Sequence, residues 1–287
     1  PPSPQPRAKP STAAELPRVR RVALDDRPLE MALRALASDP DARPTILTGA
    51  TSLIPRWTPD TLVRHVPTLH RVYVAGAAAA EPRDARPDPS RFGPYFDESR
   101  PLSGRVSPRH AYRSVDVATS AFFEKSDEYH YYSAEVERDV PPLLLDELAP
   151  LERALVAHFP EHSSVNLWLA TEGAMAPCHY DGYHNAFVQL HGAKTAVLLP
   201  PTASRLVQPF PFLHPSHAQC QAALSEIAPH EMRFAGAVTA QLDVGDVLYL
   251  PPLWYHETTA HTTTIAVNGW TDCAEARAAA ELFRVPR

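Results

Sequence analysis

Three residues of this chain, His179, Asp181 and His256, have the side chains and the spacing to hold one metal ion between them. His179 and Asp181 stand two apart in APCHYDGYHN. In extended backbone that spacing turns both side chains to one face, so the imidazole and the carboxylate converge while Cys178 and Tyr180 turn away. His256 closes GDVLYLPPLWYH, where a strand and its Pro-Pro stop can deliver a neutral imidazole to the same place. Two histidines and one carboxylate on one face leave coordination positions open, which is the ligand set of non-haem Fe(II) oxygenases. The short motif is weak alone: 14 His and 33 acidic residues produce roughly one or two H-x-[DE] matches by chance. A lone histidine after an apolar strand is more often a hydrogen-bonded structural residue. His184, His191, His214 and His217 lie nearby without a second pair at ligand spacing, and read as structural or substrate-side. The HExxH zinc helix is absent and Cys178 faces the wrong side of its strand, so thiolate ligation is not expected.

The elements that must position these residues change character along the chain. After Ser163 come short apolar or alternating runs bounded by turns: NLWLA, NAFVQL, KTAVLLPP, VTAQL, DVLYLPP and TTTIAVNGW. Such runs predict an all-β barrel or sandwich over residues 161–272. Upstream, Leu29, Leu33 and Leu36 recur at helical spacing and stop before Pro40 and Pro44. Thr58 can cap a second helix with Pro59 in its first turn and Asp60 complementing its dipole. A short strand over 71–74, a helix over 118–125, the strand YHYYSAEV and a Leu-rich helix over 142–159, interrupted at Pro150, complete a decorating region at 23–160. Residues 1–22 read as a flexible Pro-rich arm with too few apolar anchors to offset its ordering entropy. Residues 81–110 read as a long surface excursion and a candidate lid. DCAEARAAAELFR supplies a last helix, assigned to residues 273–287, that docks on the barrel or builds a homodimer contact.

Composition bounds the partners. With 287 residues, 44% of them apolar, the chain can bury a substantial core. A net charge of -6 and a pI near 6.2 argue against affinity built on phosphate neutralisation, so nucleic acid is not the expected partner. Cys178, Cys220 and Cys273 are odd in number and widely separated, which suits a reducing compartment. No apolar run is long enough to span a bilayer and the opening PPSPQPRAKPST has no signal-peptide core, so no membrane association is expected. A start at Pro1 rather than Met suggests a processed or shortened chain that has shed any targeting segment, and the expected compartment is the cytoplasm or nucleus.

Taken together, SSVNLWLATEGAMAPCHYDGYHNAFVQLHGAKTAVLLPP, GDVLYLPPLWYH and TTTIAVNGW resemble the JmjC/cupin-like 2-oxoglutarate oxygenases over about residues 120–270, and more loosely at RPTILTGA and PYFDESRPL. Within that family the resemblance leans toward the asparaginyl hydroxylase branch of factor inhibiting hypoxia-inducible factor. It implies a mainly β fold with flanking helices, a double-stranded β-helix of the cupin or jelly-roll kind with the metal at its open mouth. It also implies that His179 and Asp181 are the first two Fe(II) ligands and His256 the distal one. Lys194, fifteen residues after His179, matches the residue that pairs with the far carboxylate of 2-oxoglutarate. A cation in a barrel lined by Val188, Val197 and Leu199 needs an anion, and that charged bond would contribute about 1.5–3 kcal/mol.

Asn185 and Asn268 match cosubstrate-binding positions, and Tyr132 matches a hydroxyl donor to the same carboxylate, with its neighbour Tyr131 left open. Trp270 matches an aromatic wall residue on the substrate side and Gln219 a substrate-contacting glutamine; core packing and plain surface exposure are the alternatives. The chain departs from the branch at Ala176, where a threonine hydroxyl is expected, at Ala218 in place of a substrate-side arginine, and in a segment between His256 and Asn268 that is about three residues shorter. The activity implied is hydroxylation of a protein side chain. The alternatives are a tRNA-base or small-molecule hydroxylase, or an inert cupin-like peptide-binding module.

Overall fold

Period-two alternation sets the architecture. The computed structural model describes residues 15–76, 113–126, 128–157, 163–211 and 218–273. The first five strands are β1 (Arg20–Ala23), β2 (Thr45–Thr48), β3 (Thr68–Gly76), β4 (Arg113–Ala118) and β5 (Glu128–Glu135). The next four are β6 (Ser163–Ala170), β7 (Met175–Tyr180), β8 (His184–His191) and β9 (Lys194–Leu199). The last four are β10 (Val238–Leu242), β11 (Val247–Leu250), β12 (Tyr255–Ala260) and β13 (Thr264–Thr271). The final eight strands divide between two sheets, ordered β11-β8-β13-β6 and β10-β9-β12-β7. This is the double-stranded β-helix that the family resemblance implies, and it fits the all-β barrel or sandwich expected from the apolar runs. The early strands do more than decorate it: β1-β2 and β5-β3-β4 extend the first sheet at its two edges to nine strands.

Each strand of the large sheet sends alternate residues to opposite faces. Val165, Leu167 and Leu169 of β6, Ala186, Val188 and Leu190 of β8, and Ile265 and Val267 of β13 join one buried cluster with Leu29, Leu33, Trp57, Leu144, Leu148, Leu151 and Leu155. The intervening residues face the space between the sheets. Leu144, Leu148, Leu151 and Leu155 form one stripe of the helix Pro142–Val156, each contributing about 1.5–3 kcal/mol by leaving water. That helix runs straight through Pro150, where an interruption was expected. Pro150 is on the exposed side, where water can serve the carbonyl it leaves unpaired. The helix Pro59–His65 starts as expected, with the Thr58 hydroxyl and the Thr61 side chain completing a reciprocal cap.

Two other expectations change. Residues 15–22 are part of the fold: Leu16 and Val19 are buried, the Val19 N–H donates to the Thr239 carbonyl, and β1 pairs parallel to β2. Two apolar anchors in a proline-rich stretch suffice to bind it to the barrel. His256 is the second residue of β12 instead of the end of β11, because Pro251–Trp254 forms a turn between them. The candidate lid at 81–110, the helix and dimer contact beyond 273, and His214 and His217 lie outside the described residues. No helix among the described residues is long and apolar enough to cross a membrane.

The second sheet has its own outer cover, in which Leu16, Cys178, Leu199, Val207, Leu224, Met232 and Tyr255 pack together. Ile46, Leu198, Ala240, Leu242, Leu248 and Leu250 fill much of the space between the sheets. The turn into β9 depends on Gly192, at φ +73°, where a Cβ would lie 2.1 Å from the Thr263 carbonyl oxygen. That turn fixes where Lys194 enters the barrel.

Candidate active site

β7 and β12 are antiparallel neighbours, and their register sets His179 directly opposite His256. The rings are 4.1 Å apart between centroids. The His179 Nδ1 lies 2.7 Å from the Pro177 carbonyl oxygen and the His256 Nδ1 lies 3.1 Å from that of Trp254. A carbonyl only accepts, so in both rings the proton belongs on Nδ1 and the lone pair on Nε2. Asp181 follows β7 at the bend, and its Oδ2 stands 3.6 Å from the His256 Nε2. Ligand atoms of the three residues all lie within 4.8 Å of one another. The bend is tied to the β12 turn by the Leu253 N–H, which donates to the Asp181 carbonyl at 2.8 Å with Leu253 held at φ 65°.

The carboxylate is oriented by a chain of donors. Asp181 Oδ2 accepts from the Asn185 Nδ2 at 3.0 Å and from the Trp270 Nε1 at 3.2 Å. Asn185 Oδ1 accepts from the Asn268 Nδ2 at 3.0 Å, and Asn268 Oδ1 accepts from the Trp168 Nε1 at 2.6 Å. Donors therefore run indole to amide to amide to carboxylate, a sequence that fixes the orientation of Asp181, whose Oδ2 accepts from both Asn185 and Trp270. Asn185, Asn268 and Trp270 were read from the sequence as cosubstrate or substrate contacts. They do line the cavity, and the bonds they make there fix the carboxylate.

Lys194 is fully buried beside two rings that line the cavity, its ammonium 5.6 Å from the centre of the Tyr131 ring and 5.3 Å from that of Phe187. No carboxylate among the described residues forms an ion pair with it. Burial pulls its pKa from 10.5 down to about 8, and ring faces offset only part of the lost hydration. Its surroundings differ from those expected: Val188 packs in the helix-covered core and Val197 and Leu199 in the outer cover of the second sheet. Alternation places these three on the outer faces, and the lysine beside aromatic rings.

Tyr131 and Tyr132 are separated by the same rule. Tyr131 lines the cavity, and burial, then the charge of Asp181, pushes its phenol well above the ordinary range, so it stays a donor. Tyr132 points the other way into the helix-packed cluster. Of the two tyrosines between which the sequence reading favoured Tyr132, it is Tyr131 that lines the cavity. Trp168, Phe187 and Thr258 also line the cavity and were missed. Continuing the NLWLA and HNAFVQL alternation inward would have found the first two.

Gln219 is bridged by backbone pairing to His179 but is not among the residues lining the cavity, while the Ala218 carbonyl accepts from the Tyr180 N–H at 3.0 Å. Ala176, across from Thr258 in the register, adds no polar atom to the wall. Cys178 faces away from the metal ligands and gives its thiol proton to the Cys220 sulfur at 2.9 Å. That bond and then burial push its pKa far up, so it offers no thiolate. On the same side, burial raises the Glu257 carboxyl to about 7 against backbone bonds from Cys178 and Leu224. His184 stacks on Tyr249 and bonds its hydroxyl at 2.8 Å, a structural role. The cavity between the sheets is small, about 60 Å³, below the ~300–1,000 Å³ range of small-ligand sites.

The arrangement defines a class. The sequence profile of the cupin-like domain matches residues 37–274, and the chain belongs to the cupin-like domain family, with JmjC proteins among its relatives. It is 33% identical over 115 residues to a lysine-specific demethylase, JMJ31, of Arabidopsis thaliana, a match covering 38% of this chain and 21% of that protein. It is 26% identical over 159 residues to the human bifunctional peptidase and (3S)-lysyl hydroxylase JMJD7, covering 47% of this chain and 49% of that protein. It is 30% identical over 148 residues to a tRNA wybutosine-synthesizing protein 4 of Neurospora crassa, covering 45% of this chain and 11% of that one. The chain thus spans between about a tenth and a half of the length of these relatives.

Proposed function

We propose that this protein is an Fe(II)- and 2-oxoglutarate-dependent hydroxylase acting on a protein side chain. One observation carries the reading: a two-histidine, one-carboxylate cluster lining a cavity between the sheets, with a buried lysine beside two of the cavity's rings and no carboxylate partner for it among the described residues. The donor set fits the metal, since both imidazoles keep Nδ1 on a backbone carbonyl and leave Nε2 for a ligand bond, and the carboxylate is oriented beside them, all within 4.8 Å. The lysine fits a dicarboxylate, whose far end would replace the hydration that Lys194 has lost.

His179, Asp181 and His256 would hold Fe(II), and Lys194 with the Tyr131 hydroxyl would hold the far carboxylate of 2-oxoglutarate. Iron and the keto acid supply, when bound, the oxidative decarboxylation that drives insertion of an oxygen atom into a substrate C–H bond. The chain's own contribution is placement. Asn185 and Trp270 keep the Asp181 carboxylate aimed, and Trp168, Phe187 and Trp270 wall the cavity with rings that exclude water.

A protein side chain is favoured as substrate by the relatives named for lysyl chemistry and by the net charge of -6. The likeness to the asparaginyl hydroxylase is supported by Gln219, whose backbone is paired to His179. A nucleobase substrate keeps a specific point in its favour, the match to a tRNA wybutosine-synthesizing protein. We place the protein in the cytoplasm or nucleus, where Cys178 and Cys220 stay reduced. The test is incubation of the protein with Fe(II), 2-oxoglutarate and, in parallel, cell-derived peptides and total RNA, followed by mass spectrometry. Succinate release with one oxygen added to a peptide supports the reading. Addition to RNA alone moves the substrate class to nucleic acid, and no metal-dependent 2-oxoglutarate binding leaves a cupin-like binding module.

A further inference from the structure

Most polar side chains lining the cavity are committed to one another. Trp168, Trp270, Asn185 and Asn268 donate along the path to Asp181, and the two histidines give their Nδ1 protons to backbone carbonyls. Two hydroxyls that line the same cavity, those of Tyr131 and Thr258, make no hydrogen bond within the chain among the described residues. Tyr131 lies under the Lys194 ammonium. Thr258 is placed by register. It follows His256 by two residues on β12, on the same face, and precedes by two residues Ala260, which is the cross-strand partner of Lys194. Its level is therefore midway between the metal ligands and the lysine, with about 7 Å of strand on either side at the usual rise.

The neighbours at that level are small. Thr258 pairs with Ala176 on β7 and with Ala196 on β9, and both alanines line the cavity. No other polar side chain belongs to this rung, so a ligand stretched between the metal and Lys194 meets the Thr258 hydroxyl and two methyl groups. A lysine alone cannot satisfy a carboxylate, which has about four acceptor sites, and a ligand passing this rung brings those sites within reach of a hydroxyl.

We infer that the Thr258 hydroxyl is a specificity-determining donor to the distal carboxylate of the 2-oxo acid, and that Ala176 and Ala196 leave the room beside it. This rests on the function proposed above. The experiment compares binding of 2-oxoglutarate and of 2-oxopentanoate, which lacks the distal carboxylate, to the Mn(II)-loaded protein by calorimetry. Thr258→Val, close to isosteric, should weaken 2-oxoglutarate roughly tenfold or more, as loss of a hydrogen bond to a charged group does. It should leave 2-oxopentanoate and Mn(II) affinities within about twofold, and Thr258→Ser should restore 2-oxoglutarate binding. Unchanged 2-oxoglutarate affinity in Thr258→Val, or equal loss for both acids, overturns the inference while leaving the function standing. Failure of the wild-type protein to bind 2-oxoglutarate at all overturns the function, and the inference with it.

Discussion

His179 and His256 face each other across two paired strands, and each gives its Nδ1 proton to the carbonyl of the residue two positions before it. The shared tautomer leaves both Nε2 atoms for a metal, that of His256 3.6 Å from Asp181. Replacing either histidine by alanine should therefore abolish tight Mn(II) binding, with a loss exceeding the ~10–100-fold seen when only an outer partner is removed. Manganese titration followed by electron paramagnetic resonance checks this, and unchanged circular dichroism would show that the sheets persist.

The Asp181 carboxylate takes its orientation from Asn185 and Trp270. Trp270→Phe keeps most of the ring and removes one donor; Asn185→Ala removes another and leaves Asn268 without its acceptor. Each should weaken Mn(II) binding about 10-fold or more. Asn268→Ala, one bond further from the carboxylate, should cost less. Equal affinities in all three would show that the carboxylate needs no such support.

The two adjacent tyrosines make a matched pair for comparison. Tyr131→Phe should raise the dissociation constant for 2-oxoglutarate roughly tenfold, the size expected for a lost bond to a charged group. Tyr132→Phe should leave it alone, because that ring packs among Val74, Leu148 and their neighbours on the other face of the sheet. Calorimetry on both variants distinguishes them.

Lys194 ties stability to pH. Its folded pKa, about 8, lies below its ordinary 10.5, so between these values the unfolded chain holds more protons and the ligand-free fold gains stability as pH rises. The ammonium form is what an anion needs. Affinity for 2-oxoglutarate should be flat below about pH 8 and fall about tenfold per unit above it. Lys194→Met should raise the melting temperature at pH 7, flatten its rise between pH 8 and 10, and remove 2-oxoglutarate binding, since a buried cation without a partner costs stability that an apolar isostere does not.

The parts of this site that the sequence made legible are those set by local geometry. His179 and Asp181 are two residues apart on extended chain, and the runs after Ser163 are short and apolar or alternating, so a β barrel or sandwich and a candidate ligand pair were legible there. The choice between Tyr131 and Tyr132 could not, because it depends on which face of β5 the helices cover, a long-range fact. The same holds for Thr258: its level relative to Lys194 is a matter of β9–β12 register, which a chain read in one direction does not display. Pro150 misled because a proline in the helix pattern signals a break, whereas its exposed position lets the helix continue. Cys178 and Cys220 stand 42 residues apart in sequence yet touch, through the pairing of the 218–220 segment with β7.

Anaerobic titration of the protein with Fe(II) and then 2-oxoglutarate asks whether one ion bridges the three ligands while leaving room for a keto acid. A visible charge-transfer absorption that saturates at one equivalent of each, and that is lost in His179→Ala and Lys194→Met, is the expected result. No absorption, or the same absorption in both variants, would contradict a metal held by His179, Asp181 and His256 with the cosubstrate anchored on Lys194.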